Sequence, residues 1–173
     1  MHNAVIDLIF VDSSGASNEP ITLAQVKDWL KIDVTDEDTL LTTLITVARQ
    51  LCEGYTGVSF VQRKVIAIVN NSLGSIMLPY GPVAEVTEVQ DENGEVLTTD
   101  YYTIEGVEFK RLKLPKDSYV RVEYNAGYTV LPQHFKTSLL TQVAYLYEHR
   151  GDEYAGQFSP MALELLKPYR RVW

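Results

Sequence analysis

The chain has 173 residues, 46% of them hydrophobic and 22% charged, with a mean hydropathy of −0.08. That is enough for one domain that buries roughly 70% of its unfolded surface, and it argues against a membrane protein. A net charge of −8 repels phosphate, so sequence-independent gripping of DNA is not expected, and a single cysteine offers no disulfide scaffold.

The charge is uneven along the chain. Residues 1–20, 21–57 and 58–130 each carry −3, and only 131–173 lean basic, at +1. A surface that DNA slides past benefits from such acidity, and solubility alone would also use it. Eleven tyrosines supply amphipathic anchors suited to a core edge or a protein interface.

In chain order, Val5 to Val11 has strand-like composition and no basic segment before it of the kind that opens a secretory signal, so synthesis in a reducing cytoplasm is expected. Residues 12–18 read as a loop or linker, which makes 1–19 an N-terminal arm. Thr22 is placed to cap a short helix with Leu23, Val26, Trp29 and Leu30 on one side. A second helix is announced by Thr35-Asp36-Glu37-Asp38, a cap followed three residues later by a carboxylate. Leu40, Leu41, Leu44, Ile45, Val47, Ala48, Leu51, Cys52 and Tyr55 give it a broad apolar face, and Gly57 is placed to end it. Cys52 reads as a small core residue rather than a nucleophile, since only Arg49 nearby is basic.

From Phe60 to Tyr124 the pattern turns to short β-rich runs: 60–69, 75–78, 84–90, 95–97, 101–104, 107–112 and 119–124. Asn93-Gly94 is a hairpin signal, while Pro79, Gly81, Pro82 and Pro115 break the chain where central strands could not continue. Alternation in Val120-Arg121-Val122-Glu123-Tyr124 predicts one buried and one wet face of an antiparallel module. Pro132 then sits at the start of a third helix carrying Leu139, Leu140, Val143, Ala144, Leu146 and Tyr147, expected to pack on the second. Gly151 is placed to end it, a polar loop follows, and Pro160 opens a last short helix with Leu163, Leu165 and Leu166 before Pro168.

No catalytic constellation emerges. His2, His134 and His149 are scattered, the spacing of metal-binding histidine pairs is missing, and Asp33, Asp36, Glu37 and Asp38 lack the alternation of a calcium loop and read as capping. No catalytic, cofactor-binding or metal residues are therefore assigned and no cofactor is expected. A hydrolase would have to bring Cys52 to His134 or His149, and a small ligand-binding module would need a polar pocket that no cluster demands. The closing Tyr169, Arg170, Arg171 and Trp173 are residue types enriched at binding hot spots.

The string from Glu19 to Leu30 (EPITLAQVKDWL), then an acidic cap, Ala48-Arg49 and Glu53-Gly54-Tyr55-Thr56-Gly57, resembles the opening of tailed-phage head-tail connector (adaptor) proteins. Leu78 to Val83, Val122 to Tyr128, Leu146 to Arg150 and Pro168 to Arg171 are similar to the longer members, including those of prophages. The resemblance runs from Glu19 over nearly the whole chain. It implies an α+β fold: a core of about four helices, with an antiparallel β-module inserted between helices 2 and 3. Residues 20–173 then form one connector domain, made of 20–57, 58–130 and 131–173. By this resemblance the protein is structural: a ring of twelve copies beneath the portal at the head–tail junction of the virion, assembled in the host cytoplasm. The ring would extend the DNA channel, with DNA passing unbound, and carry the next head-closure or tail-completion protein. No membrane partner is implied. Tyr169, Arg170, Arg171 and Trp173 are the residues expected to dock on the portal. The nearest rival is another neck protein, a head-closure or tail-completion factor.

Overall fold

In the computed structural model, which describes residues 4–11, 19–71, 73–151 and 158–171, helices and antiparallel strands separate into two compact units, giving the α+β class. The strand unit holds Met1–Gly15 and Val61–Thr129; the helical unit holds Ala16–Phe60 and Val130–Arg171.

In the strand unit, β1 (Ala4–Val11), β2 (Arg63–Asn71), β3 (Ser75–Met77), β4 (Val83–Gln90), β5 (Thr103–Glu105), β6 (Arg111–Lys113) and β7 (Ser118–Ala126) form two antiparallel sheets. Their orders are β1-β2-β7-β4 and β3-β6-β5. The expected alternation on β7 holds. Val120, Val122 and Tyr124 pair in register with Val69, Ala67 and Val65 of β2, and all six are buried, in one core with Ile76, Leu78, Leu112 and Leu114 of the smaller sheet's strands and their ends. The Tyr124 hydroxyl donates to the Pro79 carbonyl at 2.7 Å, which satisfies the one polar atom this ring carries inside. Burial pushes its pKa well above the ordinary tyrosine value.

On the opposite face Glu123 sits between Lys64 and Arg121. The hydrogen bond from Lys64 holds its carboxyl below the ordinary glutamate value of 4.5 against the opposing effect of burial, with Arg121 adding to the shift. A depressed carboxylate stabilises the fold above its unfolded pKa, and that contribution disappears as pH falls through the folded value. Stability is therefore expected to drop on acidification below about 4.5, and less steeply in Glu123→Gln, read from thermal unfolding at about pH 6 and about pH 3. Equal pH dependence in both proteins would discard this attribution.

Two β-rich runs come out shorter than their composition suggests. Residues 95–97 make a bridge, Gln90 to Val96, because the Asp91 carboxylate accepts the backbone N–H of Glu95 and Asn93 and gathers residues 91–95 into one turn. Of the run 107–112 only the last two residues are strand, at the start of Arg111–Lys113. Gly106, at φ +96°, turns the chain before β6 at a point where a Cβ would lie 2.5 Å from the Phe109 carbonyl oxygen. The strand-like N-terminal segment forms edge strand β1 along β2. The linker predicted over 12–18 and the polar loop over 152–157 fall outside the described residues.

In the helical unit, α1 (Leu23–Leu30) starts as predicted: Thr22 Oγ1 accepts the Gln25 N–H and Gln25 Oε1 accepts the Thr22 N–H, a reciprocal capping box. Thr22→Ala is expected to cost about 1 kcal/mol in denaturant unfolding. Trp29, expected on the inner side with Val26, is 48% exposed, because the inward stripe of α1 runs through Leu23, Val26, Lys27 and Leu30 and leaves Trp29 on its flank.

The start of α2 (Asp38–Thr56) departs from the expected capping box. Thr35 closes a turn instead, its carbonyl accepting the Asp38 N–H, and the N-cap Glu37 makes no side-chain cap bond. Tertiary partners claim these acids: Lys27 Nζ lies 2.7 Å from Asp38, and Glu37 accepts the Tyr147 hydroxyl and pairs with Arg150. The broad apolar face divides accordingly. Leu41, Ile45, Ala48 and Cys52 are buried, whereas Leu40 and Val47 lie about one-third exposed on its flank. Gly57 ends the helix in the left-handed region at φ +66°, as its position implies. Helix α3 (Gln133–Glu148) packs on α2 and ends before Gly151, at a His149 C-cap whose N–H donates to the Tyr145 carbonyl, and α4 (Pro160–Leu166), capped by Ser159, packs on α3.

Candidate functional site

The end of the chain is seated on the helical unit through aromatic contacts. After α4 a single 3-10 turn, Lys167–Tyr169, carries the Tyr169 ring parallel to His134 with centroids 4.1 Å apart, and edge-on to Phe135 at 5.1 Å. Phe135 in turn meets Phe60 at 4.6 Å. Arg170 places its guanidinium 5.3 Å from the Tyr55 ring centroid, and Tyr55 also meets Phe158. The Arg171 N–H donates to the Thr56 carbonyl at 2.7 Å, at the C-terminal end of α2 where carbonyls lack helical partners.

Of the four residues expected to dock a partner, Tyr169 is thus half-buried and serves as an anchor, while Arg170 and Arg171 are exposed. Trp173 lies outside the described residues. Tyr169, Arg170 and Arg171 follow one another at the surface as a short, cationic, aromatic ledge. Such a ledge presents planar donors and ring faces to a protein surface and has no group poised for bond-breaking. His134 beneath it is held neutral-leaning: burial pushes its pKa below the ordinary histidine value, and its Nε2 has no hydrogen-bond partner among the described residues.

Among the described residues the side chains with nucleophilic, basic or metal-ligating chemistry are not assembled. Cys52 is fully buried in α2 and burial, then the charge of Glu53, pushes its thiol up to about 12, so thiolate is scarce at neutral pH. His149 stacks on Tyr145 and its Nδ1 lies 2.9 Å from the Tyr145 carbonyl, which ties it to its own helix end. Asp33, Asp36, Glu37 and Asp38 do not gather around a common point. Among the described residues no group of three His, Cys, Asp or Glu side chains is placed to hold a metal ion, and no described helix is long and apolar enough to cross a membrane.

The fold also builds a buried polar cluster that the motifs did not announce. Arg49 Nε lies 2.8 Å from Glu19, its Nη1 lies 2.9 Å from Glu53, and Glu53 also accepts the Phe60 N–H at 2.7 Å. Burial alone would lower the Arg49 pKa, but the hydrogen bond with Glu19 and the charges of Glu53 and Glu19 outweigh it and raise the pKa above the ordinary value. This cluster ties the segment before α1 and the loop after α2 to the helix that receives the chain end. The available signal was an Arg49/Glu53 pair at i,i+4 on the buried side of an otherwise apolar helix.

Among solved structures the chain is similar to one from the neck of an empty gene transfer agent particle computed with C6 symmetry, with 22% identity, 97% of each chain covered and a TM-score of 0.78. It is similar to a chain of the virion of a native gene transfer agent particle, with 20% identity, 96% of each covered and a TM-score of 0.76. A third, from the neck of the native particle computed with C12 symmetry, gives 20% identity, 97% of each chain covered and a TM-score of 0.75. At these identities the likeness is one of fold, and it extends over nearly the full length of each chain. No curated protein matches by sequence. The head completion protein model matches residues 19–172, beginning at the same Glu19 where the motif string begins, and the chain therefore belongs to the head completion protein family.

Proposed function

We propose that this protein is a structural component of the neck of a phage or phage-like particle: a head–tail connector whose copies form a ring under the portal. The observation that carries this reading is the family match over residues 19–172. The fold likeness to neck chains of particles treated with C6 and C12 symmetry supports a ring, for which twelve copies is the natural number. The ring extends the DNA channel and gives the next head-closure or tail-completion protein a platform. A chain of net charge −8 lines such a channel without holding the DNA that passes through it. Its role is structural rather than catalytic, its place is the head–tail junction of the virion, and it waits in the host cytoplasm during assembly.

The chain end is the portal-docking element in this reading. Tyr169 fixes the base of the ledge on His134, leaving Arg170, Arg171 and Trp173 to meet the portal. Native mass spectrometry of the protein alone and mixed with its portal tests both parts. A closed ring on the portal is expected from the intact chain, and loss of portal binding from one that ends at Pro168. A chain that stays monomeric and ignores the portal would refute the proposal.

A further inference from the structure

The strand unit separates its charges to a degree that solubility does not require. Residues 84–108 contain eight acids and no base, and residues 110–116 contain four bases and no acid. Two of these bases, Arg111 and Lys113, share one face of a strand, and Lys116 stands in the turn that follows it. On the smaller sheet Leu112 is buried while Arg111 and Lys113 on either side of it point out, in rows with Met77 and Glu105 and with Ser75 and Thr103. Lys113 pairs with Glu105, but Arg111 and Lys116 have no ion pair among the described residues. Three of the eight acids, Asp91, Glu92 and Glu95, stand together in the turn after β4. There Asp91 is consumed in holding the turn, and Glu92 and Glu95 are exposed without an ion pair among the described residues.

Apolar side chains are exposed close in sequence to both the turn and the sheet strands. Val96 beside the acidic turn is 61% exposed, and Val107 at the bend before β6 is 87% exposed. An apolar centre with a charged rim is the usual composition of a protein interface. The acidic turn and the basic sheet face are complementary to each other, and both belong to the same chain.

We infer that the outer face of the β3-β6-β5 sheet is a subunit contact, occupied by the acidic turn 91–96 of a second copy of this chain. The inference rests on the ring reading. A contact between two different surfaces of one chain is heterologous, and repeating it head to tail closes a ring. The charges fix register and reject wrong pairings, while the apolar residues supply the buried area. Because the charges are exposed, the contact weakens as salt screens them beyond about 8 Å at physiological ionic strength.

Charge reversal tests the contact. Glu92→Lys/Glu95→Lys sets base against base, and Arg111→Glu/Lys116→Glu sets acid against acid, so each variant alone is expected to lose ring mass at least about tenfold in native mass spectrometry, on the portal or free. In an equimolar mixture every contact of an alternating ring is again between opposite charges, and ring mass is expected to return. The unmodified ring is also expected to dissociate as salt rises from about 0.05 M to about 0.5 M. Either variant assembling by itself like the unmodified chain, or a mixture of folded variants that stays dissociated, overturns the contact and leaves the ring reading intact. Should a reversed chain fail to fold, by far-ultraviolet circular dichroism, a ring indifferent to salt overturns it in the same way. An unmodified chain that makes no ring under any condition removes the ring reading and this contact together.

Discussion

Gly127→Ala is expected to destabilise the protein by about 3 to 5 kcal/mol. Gly127 follows β7 with φ +106°, a conformation that L side chains rarely adopt, and its N–H donates to the Pro82 carbonyl at 2.8 Å. A Cβ there would lie 1.9 Å from the Val61 carbonyl oxygen, 2.5 Å from its carbon and 3.0 Å from Gln62 Cα. Every one of these atoms is backbone on the segment that enters β2, so no side-chain rotation relieves the clash. The two crossing segments would have to separate, and with them the ends of the central β2 and β7 pair that carries much of the core. Gly94 supplies the control. It too has a left-handed φ, +83°, but nothing lies within 4 Å of the point a methyl group would occupy, so Gly94→Ala isolates the conformational cost, about 1 to 2 kcal/mol. At about 2 to 4 °C of melting temperature per kcal/mol, Gly127→Ala should melt roughly 6 to 20 °C below the unmodified protein. Equal melting temperatures for the two alanine variants would show that the close approach is not rigid.

Arg49→Met is the second large effect, about 3 to 5 kcal/mol in denaturant unfolding. Methionine fills much of the space but leaves the carboxylates of Glu19 and Glu53, with side chains 13% and 4% exposed, without their shared cation. The loss comes from two uncompensated buried charges more than from the ion pairs themselves, whose attraction is partly offset by the cost of removing all three groups from water. Arg49→Met/Glu53→Gln should therefore recover part of the loss, because one buried charge is gone while glutamine keeps an oxygen for the Phe60 N–H. A double variant no more stable than Arg49→Met alone would place the cost in lost packing instead.

Where local chemistry settles a structural choice, the reading from residues and the fold agree. Thr22 and Gln25 stand three apart and cap α1 with no help from elsewhere. Gly57 ends α2 because only a residue tolerant of positive φ continues the chain there, and Pro160 opens α4 because its missing N–H is one the first helical turn does not use. Val120, Val122 and Tyr124 declared a buried face through period two, which follows from the pleat alone. The order of these signals, together with the motif strings from Glu19 onward, also carried the family resemblance that the family match over 19–172 bears out.

Where long-range partners compete for the same groups, the sequence by itself was silent or misleading. Thr35 to Asp38 has the composition of a helix cap, yet Lys27, Tyr147 and Arg150 take up Asp38 and Glu37, and the helix begins later. Trp29 counts as apolar in any periodicity, but which flank of α1 is covered depends on neighbours that arrive from distant segments. The union of Glu19 with Arg49 and the seat of Tyr169 on His134 join residues far apart in the chain. Capping, turns and alternation are decided within a few residues by backbone geometry, and so the sequence determined them. Buried charge pairing and the seating of the chain end depend on which segments fold against each other, and only the tertiary structure decided those.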